Sequence, residues 1–232
     1  MKRRIGIGAI LTLGLSVLLA VPAHVTVPAQ AATACTITNF SPRTVVVGAR
    51  PVVKTFGVST SGCTRTSWSV LESEYEFFTS NYSPQYTFNP WDNAEAGRKD
   101  VIVTATNADF AERERVFADA FTLLRATQWQ SGSFNAGPEP VKRGGKVTLR
   151  GRLIVADWGT DKYVPLAGKR VDVQFRTTTG TYRTVAVATT GSDGSVRTSV
   201  PASGTGIWRL SYAGSSTTAS AVVAGDTVAM TG

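Results

Sequence analysis

The chain contains a single histidine, His24, and two cysteines, Cys35 and Cys63. His24 falls in a segment with the features of a leader, so the exported product has no histidine. That removes most familiar catalytic chemistry. A serine hydrolase needs a nucleophile, a base and an oxyanion hole, and the residues beyond the leader offer neither Gly-x-Ser-x-Gly nor Ser-x-x-Lys. A catalytic thiol would lack a histidine to lower its pKa. Zinc would find neither histidine nor a cysteine cluster. Carboxylates remain: Glu72, Glu74 and Glu76 would share one strand face with neighbours about 6.5–7 Å apart, close to the separation in inverting glycosidases. Leu71, Tyr75 and Phe77 would fill the opposite face, which makes the same pattern the solvated side of a half-buried strand. A carboxylate-dependent carbohydrate hydrolase is therefore the alternative, and the expectation is no catalytic residue and no cofactor. The run Asp92-Asn93-Ala94-Glu95-Ala96-Gly97 opens like a calcium loop, but Ala94 and Ala96 stand where oxygen donors belong, and Asp157 with Asp161 is an acidic loop pair. Weak calcium binding is the most this permits, and no dedicated metal site is expected.

The leader has three parts. Lys2, Arg3 and Arg4 precede an apolar run over residues 5–21, and Ala29 and Ala31 bracket Gln30, so residues 1–31 read as a signal peptide cleaved after Ala31. A retained membrane anchor is the rival reading, because the apolar run reaches the lower end of a spanning helix. Gly6, Gly8 and Gly14 weaken that helix, and Pro22 and Pro28 interrupt the segment between the run and the cleavage site. The expected product is secreted, with no membrane contact after cleavage. In an oxidising compartment Cys35 and Cys63 pair by default, and closing that loop stabilises the fold by about 3–4 kcal/mol on a chain-entropy estimate. Lipidation of Cys35 is the alternative, although Ala32-Thr33-Ala34 lacks the usual large aliphatic residue.

Cleavage leaves 232 less 31, or 201, residues, room for two ordinary domains. Charge divides them: residues 33–132 hold 9 basic and 10 acidic side chains, whereas residues 133–232 hold 12 and 6. The expected division is 32–126 and a basic 127–232. Arginine in excess of lysine, with abundant Ala, Gly, Thr and Val, points to a GC-rich bacterial genome. Alternation of period two, punctuated by glycine, proline and Ser/Thr clusters, predicts short antiparallel strands throughout. In the first half these are residues 36–39, 44–47, 52–60, 67–78, 86–88, 101–106 and 116–124. Phe110, Phe117, Phe121 and Leu124 also fall on one helical face, so a short helix over 108–115 competes with the last strand. In the second half Val147, Leu149 and Leu153, then Val171, Val173 and Phe175, then Trp208, Leu210 and Tyr212 each alternate with polar neighbours. Strands at 195–200 and 219–228 complete a second sandwich, and residues 130–140 are expected to hold the junction.

Several stretches carry a resemblance. They are Pro140-Val141-Lys142-Arg143-Gly144-Gly145-Lys146-Val147-Thr148, Gly151-Arg152-Leu153, Ala156-Asp157-Trp158, Lys162-Tyr163, Gly168-Lys169, Val173-Gln174-Phe175-Arg176, Trp208-Arg209 and Tyr212-Ala213-Gly214. Together they resemble the C-terminal immunoglobulin-like module of secreted bacterial proteins, over most of residues 134–228. Residues 33–126 are generally similar to the upstream modules of such proteins, with Gly97 ahead of the strand at 101–106 as the main cue. The resemblance implies an all-β chain of two consecutive immunoglobulin-like antiparallel β-sandwiches and a secreted setting. It carries over no catalytic residue.

The basic second half supplies the binding candidates. Arg176, Arg183 and Arg209 are expected to point outward from neighbouring strands of one sheet, and Arg150, Arg152 and Arg197 from the other. Such charge is suited to an anionic wall polymer or an acidic polysaccharide, and is equally the ordinary charge of a soluble surface. Nucleic acid is not expected, since no binding motif accompanies the charge. Trp158 and Tyr163 would either stack on a sugar or protein partner or cap a core edge. The resulting expectation is a secreted, non-catalytic binding or structural module of the cell wall or extracellular space.

Overall fold

The runs rich in Val, Thr, Tyr and Phe form strands because branched and aromatic side chains pack well on a pleated, half-buried surface. The computed structural model describes residues 34–71, 77–79, 84–89 and 91–232. Their first half contributes β1 (Thr36–Ser41), β2 (Thr44–Val47), β3 (Val52–Thr55), β4 (Gly57–Ser61), β5 (Arg65–Leu71), β6 (Phe77–Thr79), β7 (Gln85–Phe88), β8 (Gly97–Thr106) and β9 (Glu112–Arg125). The second half contributes β10 (Thr127–Trp129), β11 (Asn135–Gly137), β12 (Val141–Lys142), β13 (Lys146–Asp157), β14 (Lys162–Pro165), β15 (Arg170–Arg176), β16 (Arg183–Thr189), β17 (Ser195–Pro201), β18 (Gly206–Tyr212), β19 (Ala221–Val222), β20 (Asp226–Val228) and β21 (Met230–Thr231). The helical content of the described residues is one short 3-10 turn at Asn93–Glu95.

In the first half the sheet β2-β9-β8-β5-β6 faces the pairs β1-β4 and β3-β7. Phe40, Phe56, Trp68, Phe88 and Phe121 fill the space between, with ring centroids 4.5 Å apart for Phe56 and Trp68 and 6.1 Å for Phe88 and Phe121. In the second half β11-β13-β17, joined by β10 and β14, faces β16-β15-β18 with β19 and β20. Every large side chain expected to point inward there is buried, from Val147 and Leu149 through Phe175 to Trp208 and Tyr212. The strand order in each half is that of an immunoglobulin-like sandwich, one sheet of the A-B-E kind against one of the G-F-C kind. Trp68 lies on β5, the counterpart of strand C, and is buried as that position requires. The pairing is not purely antiparallel, because β2 runs parallel to β9 and β12 to β21.

Several expectations need correction. The strand expected over 67–78 is instead β5 and β6, antiparallel partners with Val70 opposite Phe77, and that over 219–228 is β19 and β20. Residues 108–115 form no helix; β9 begins at Glu112, and its apparent helical spacing comes from a bulge. Between Lys99 and Val101 the partner strand advances from Phe121 to Phe117, so two steps on β8 face four on β9. Asp119 sits in the bulge at φ 48°, its amide donating to Asp100 Oδ1 at 2.7 Å and its carboxylate meeting Arg98 at 2.8 Å. The expected strand over 52–60 breaks at Phe56, which turns its ring fully into the core. Residues 130–140 lie inside the second sandwich, because β11 pairs with β13.

The two cores meet near Ala126, whose amide donates to Val47 O at 2.8 Å and whose carbonyl accepts from Ala156 N at 2.8 Å. Arg125 Nε donates to Ala156 O at 2.7 Å. Residues 33–232 form one compact unit.

Candidate binding surface

The sulfurs of Cys35 and Cys63 are 2.07 Å apart, a disulfide between the start of β1 and the chain just past β4. With its sulfur in that bond, Cys35 has no thiol to acylate. Glu72, Glu74 and Glu76, like the leader and His24, lie outside the described residues. Asp92 and Glu95 close the 3-10 turn on itself. Asp92 Oδ1 accepts from Ala94 N at 2.8 Å, and Glu95 Oε1 accepts from Trp91 N at 2.9 Å and Asp92 N at 3.1 Å. Asn93 crosses instead to the second half, its Nδ2 donating to Asp157 Oδ1 at 3.2 Å and its Oδ1 accepting from Trp158 N at 3.0 Å. Asp161 is exposed at φ 55°.

Trp158 and Tyr163 part company. Trp158 is 3% exposed and packs in the core of the first half, although it follows β13 of the second. Its Nε1 donates to Gly48 O at 3.0 Å. The indole therefore caps a core edge, and burial removes it as a contact for any ligand. Tyr163 pairs with Ala156 and stays 37% exposed.

The three arginines of the expected polyanion site do not stand together. Arg176 and Arg209 converge on one ring, their guanidinium carbons 5.2 Å and 3.5 Å from the centroid of Tyr182. Arg209 Nε donates to Gln174 Oε1 at 2.8 Å, and Arg176 donates to Thr178 O at 2.7 Å. Arg183 goes elsewhere. The register of β15 and β16 slips between Val173 and Gln174, so Val187 faces Asp172 but Arg183 faces the inward residue Phe175, whose ring lies 6.0 Å from its guanidinium. One extra residue in β16 reverses which side an odd-numbered residue takes. Tyr182 went unnoticed in the sequence; the Thr179-Gly180 turn beside Arg176 was the signal that could have found it.

Two carboxyl groups are shifted. Slight desolvation at this exposed position, the charge of Asp226 and a side-chain hydrogen bond to it raise the Glu139 carboxyl above the ordinary glutamate range. Asp193 is lowered by hydrogen bonds from the Ser195 side chain and amide, with a smaller contribution from Arg152.

No protein-family model matches the chain, and no curated protein is similar to it in sequence. Among solved structures, the three N-terminal domains of the bacteriophage RB49 highly immunogenic outer capsid protein superpose with a TM-score of 0.31 and 13% identity, over 85% of this chain and 69% of that one. A bacterial ice-binding adhesin gives 0.30 and 14%, over 87% and 67%. The D00-D0 domain of intimin gives 0.30 and 12%, over 82% and 98%. At such scores the immunoglobulin-like assignment stands on the strand order itself.

Proposed function

We propose that this chain is a secreted, non-catalytic binding or structural module of two sandwich domains, divided near Ala126, that acts at a cell wall or in the extracellular space through its basic second half. The supporting observation is the display of charge. Residues 133–232 carry 12 basic against 6 acidic side chains, on a sandwich whose core residues, Val147, Leu149, Phe175 and Trp208 among them, are buried between its sheets. A disulfide at the start of the first sandwich suits an oxidising compartment. The partner is an anionic wall polymer or an acidic polysaccharide, held by screened Coulomb attraction with no bond made or broken. Retention of the purified protein on isolated cell walls, measured from about 50 to about 500 mM salt, tests this. Retention should fall steeply as salt rises, and indifference to salt overturns the charge-based reading. Release of reducing sugar from wall glycans that disappears on Glu72→Gln, Glu74→Gln or Glu76→Gln would show a hydrolase instead.

A further inference from the structure

We propose that the outward face of β11, β13 and β17 is the binding site for a linear acidic polysaccharide; the proposal rests on the polyanion reading above and locates it. Register carries the argument. Arg150 lies directly opposite Arg197 across β13 and β17, and on its other side pairs with Asn135 of β11. The next row is Gly137, Thr148 and Ser199, the two hydroxyls 2.8 Å apart. Lys146 and Arg152 continue the face in either direction. Over residues 135–137, 146–152 and 195–201 the outward positions therefore hold four cations and no carboxylate. Arg152 is already engaged, donating to Asp193 O at 2.8 Å and Gln130 Oε1 at 3.3 Å, while Asp193 Oδ1 accepts from Ser195 N at 3.0 Å.

Like charges directly opposite on neighbouring strands, as Arg150 and Arg197 are, repel. Among the described residues neither guanidinium has an ion pair or a hydrogen bond. The opposite sheet is built otherwise. There Arg170 meets Asp172 at 3.5 Å, Arg209 holds Gln174, and Arg176 reaches backbone carbonyls. The directly opposed pair is on the β13 side, where Ser133, Asn135, Gly137, Thr148 and Arg150 line a groove of about 560 Å³.

The chemistry of the face selects the ligand. Guanidinium forks take carboxylate or sulfate oxygens in pairs, and the Thr148, Ser199 and Asn135 side chains offer hydrogen bonds to sugar hydroxyls. The large apolar side chains that the molecule exposes lie elsewhere, so this face has neither rings on which bases could stack nor side chains to enter a bilayer.

The test is chromatography on immobilised polygalacturonate and heparin, with the melting temperature measured in parallel. Arg150→Glu and Arg197→Glu should each reduce retention about tenfold at fixed salt, as reversal of a contact charge implies, while the double variant Arg50→Gln/Arg113→Gln, at exposed positions of the first half, keeps it. Arg150→Glu should also raise the melting temperature by about 1–3 °C, since it replaces a repelling cross-strand pair with an attracting one. If the unaltered protein passes through both columns, the polyanion reading itself fails. If that protein is retained but both face variants match it, or all variants lose equally, the site is wrong while the reading survives. A fall in melting temperature refutes the opposed-arginine argument. Tighter binding of a single-stranded oligonucleotide than of polygalacturonate refutes the ligand class.

Discussion

Replacing Trp158 tests how the two halves are joined. Its indole is 3% exposed among the side chains of the first half, and its Nε1 is the donor 3.0 Å from Gly48 O. Trp158→Ala removes a buried ring and leaves the Gly48 carbonyl without that donor. Core truncations of this kind cost about 3–5 kcal/mol. Trp158→Phe keeps much of the packing and loses the hydrogen bond, for about 1–2 kcal/mol. In a chain of this size 1 kcal/mol moves the melting temperature by roughly 2–4 °C, so the alanine variant should melt about 6–20 °C lower. Guanidinium titration followed by near-UV circular dichroism, with calorimetry alongside, measures both variants. The alanine variant should also show two calorimetric transitions, because it cuts apolar contact between the halves. Tyr163→Ala, at a 37% exposed neighbour, is the control and should cost far less. A loss below about 1 kcal/mol for Trp158→Ala, no greater than the control's, would refute the reading that Trp158 joins the two halves.

The disulfide and Glu139 give two further outcomes. Cys35 and Cys63 are 28 residues apart, so the double variant Cys35→Ala/Cys63→Ala should lose about 3–4 kcal/mol on the chain-entropy estimate; denaturant midpoints unchanged by the double substitution would count against it. Because the folded Glu139 carboxyl is raised, the native chain holds that proton to higher pH than the unfolded chain. The resulting stabilisation is complete below the unfolded value of about 4.3 and is lost as pH rises through the folded one. Glu139→Gln fixes the neutral state, so it should match the parent near pH 3.5 and be the more stable near pH 7; equal differences at both pH values exclude the linkage.

What the sequence disclosed tracks how local the cause is. Period-two alternation at Val171, Val173 and Phe175 reports a single strand half in and half out of a core, and each of these side chains is buried. The cysteine pair was legible because compartment chemistry, not geometry, decides it. Arg183 was misplaced because one extra residue in β16 reverses parity, and a bulge leaves no mark in a hydrophobic pattern. The Phe117 and Phe121 spacing mimicked a helix for the same reason. Which core Trp158 caps was not legible from its neighbours, since most of that core belongs to residues 35–123 and its hydrogen-bond acceptor Gly48 lies 110 positions earlier. The opposed arginines on β13 and β17 were each legible as outward-facing, but their pairing is a fact of register, which sequence spacing does not contain.

Each sandwich is fastened where its chain enters and leaves by parallel pairing. Thr122 N and Ala126 N donate to Arg43 O and Val47 O, at 3.0 and 2.8 Å, and Val141 N and Arg143 N donate to Ala229 O and Thr231 O, both at 2.9 Å. Tension on the two ends of such a sandwich pulls the parallel neighbours in opposite directions along their common axis. The hydrogen bonds then lie across the load and share it, whereas an antiparallel clasp would unzip one rung at a time. Stretching either sandwich between its ends therefore loads these bonds together and not one after another.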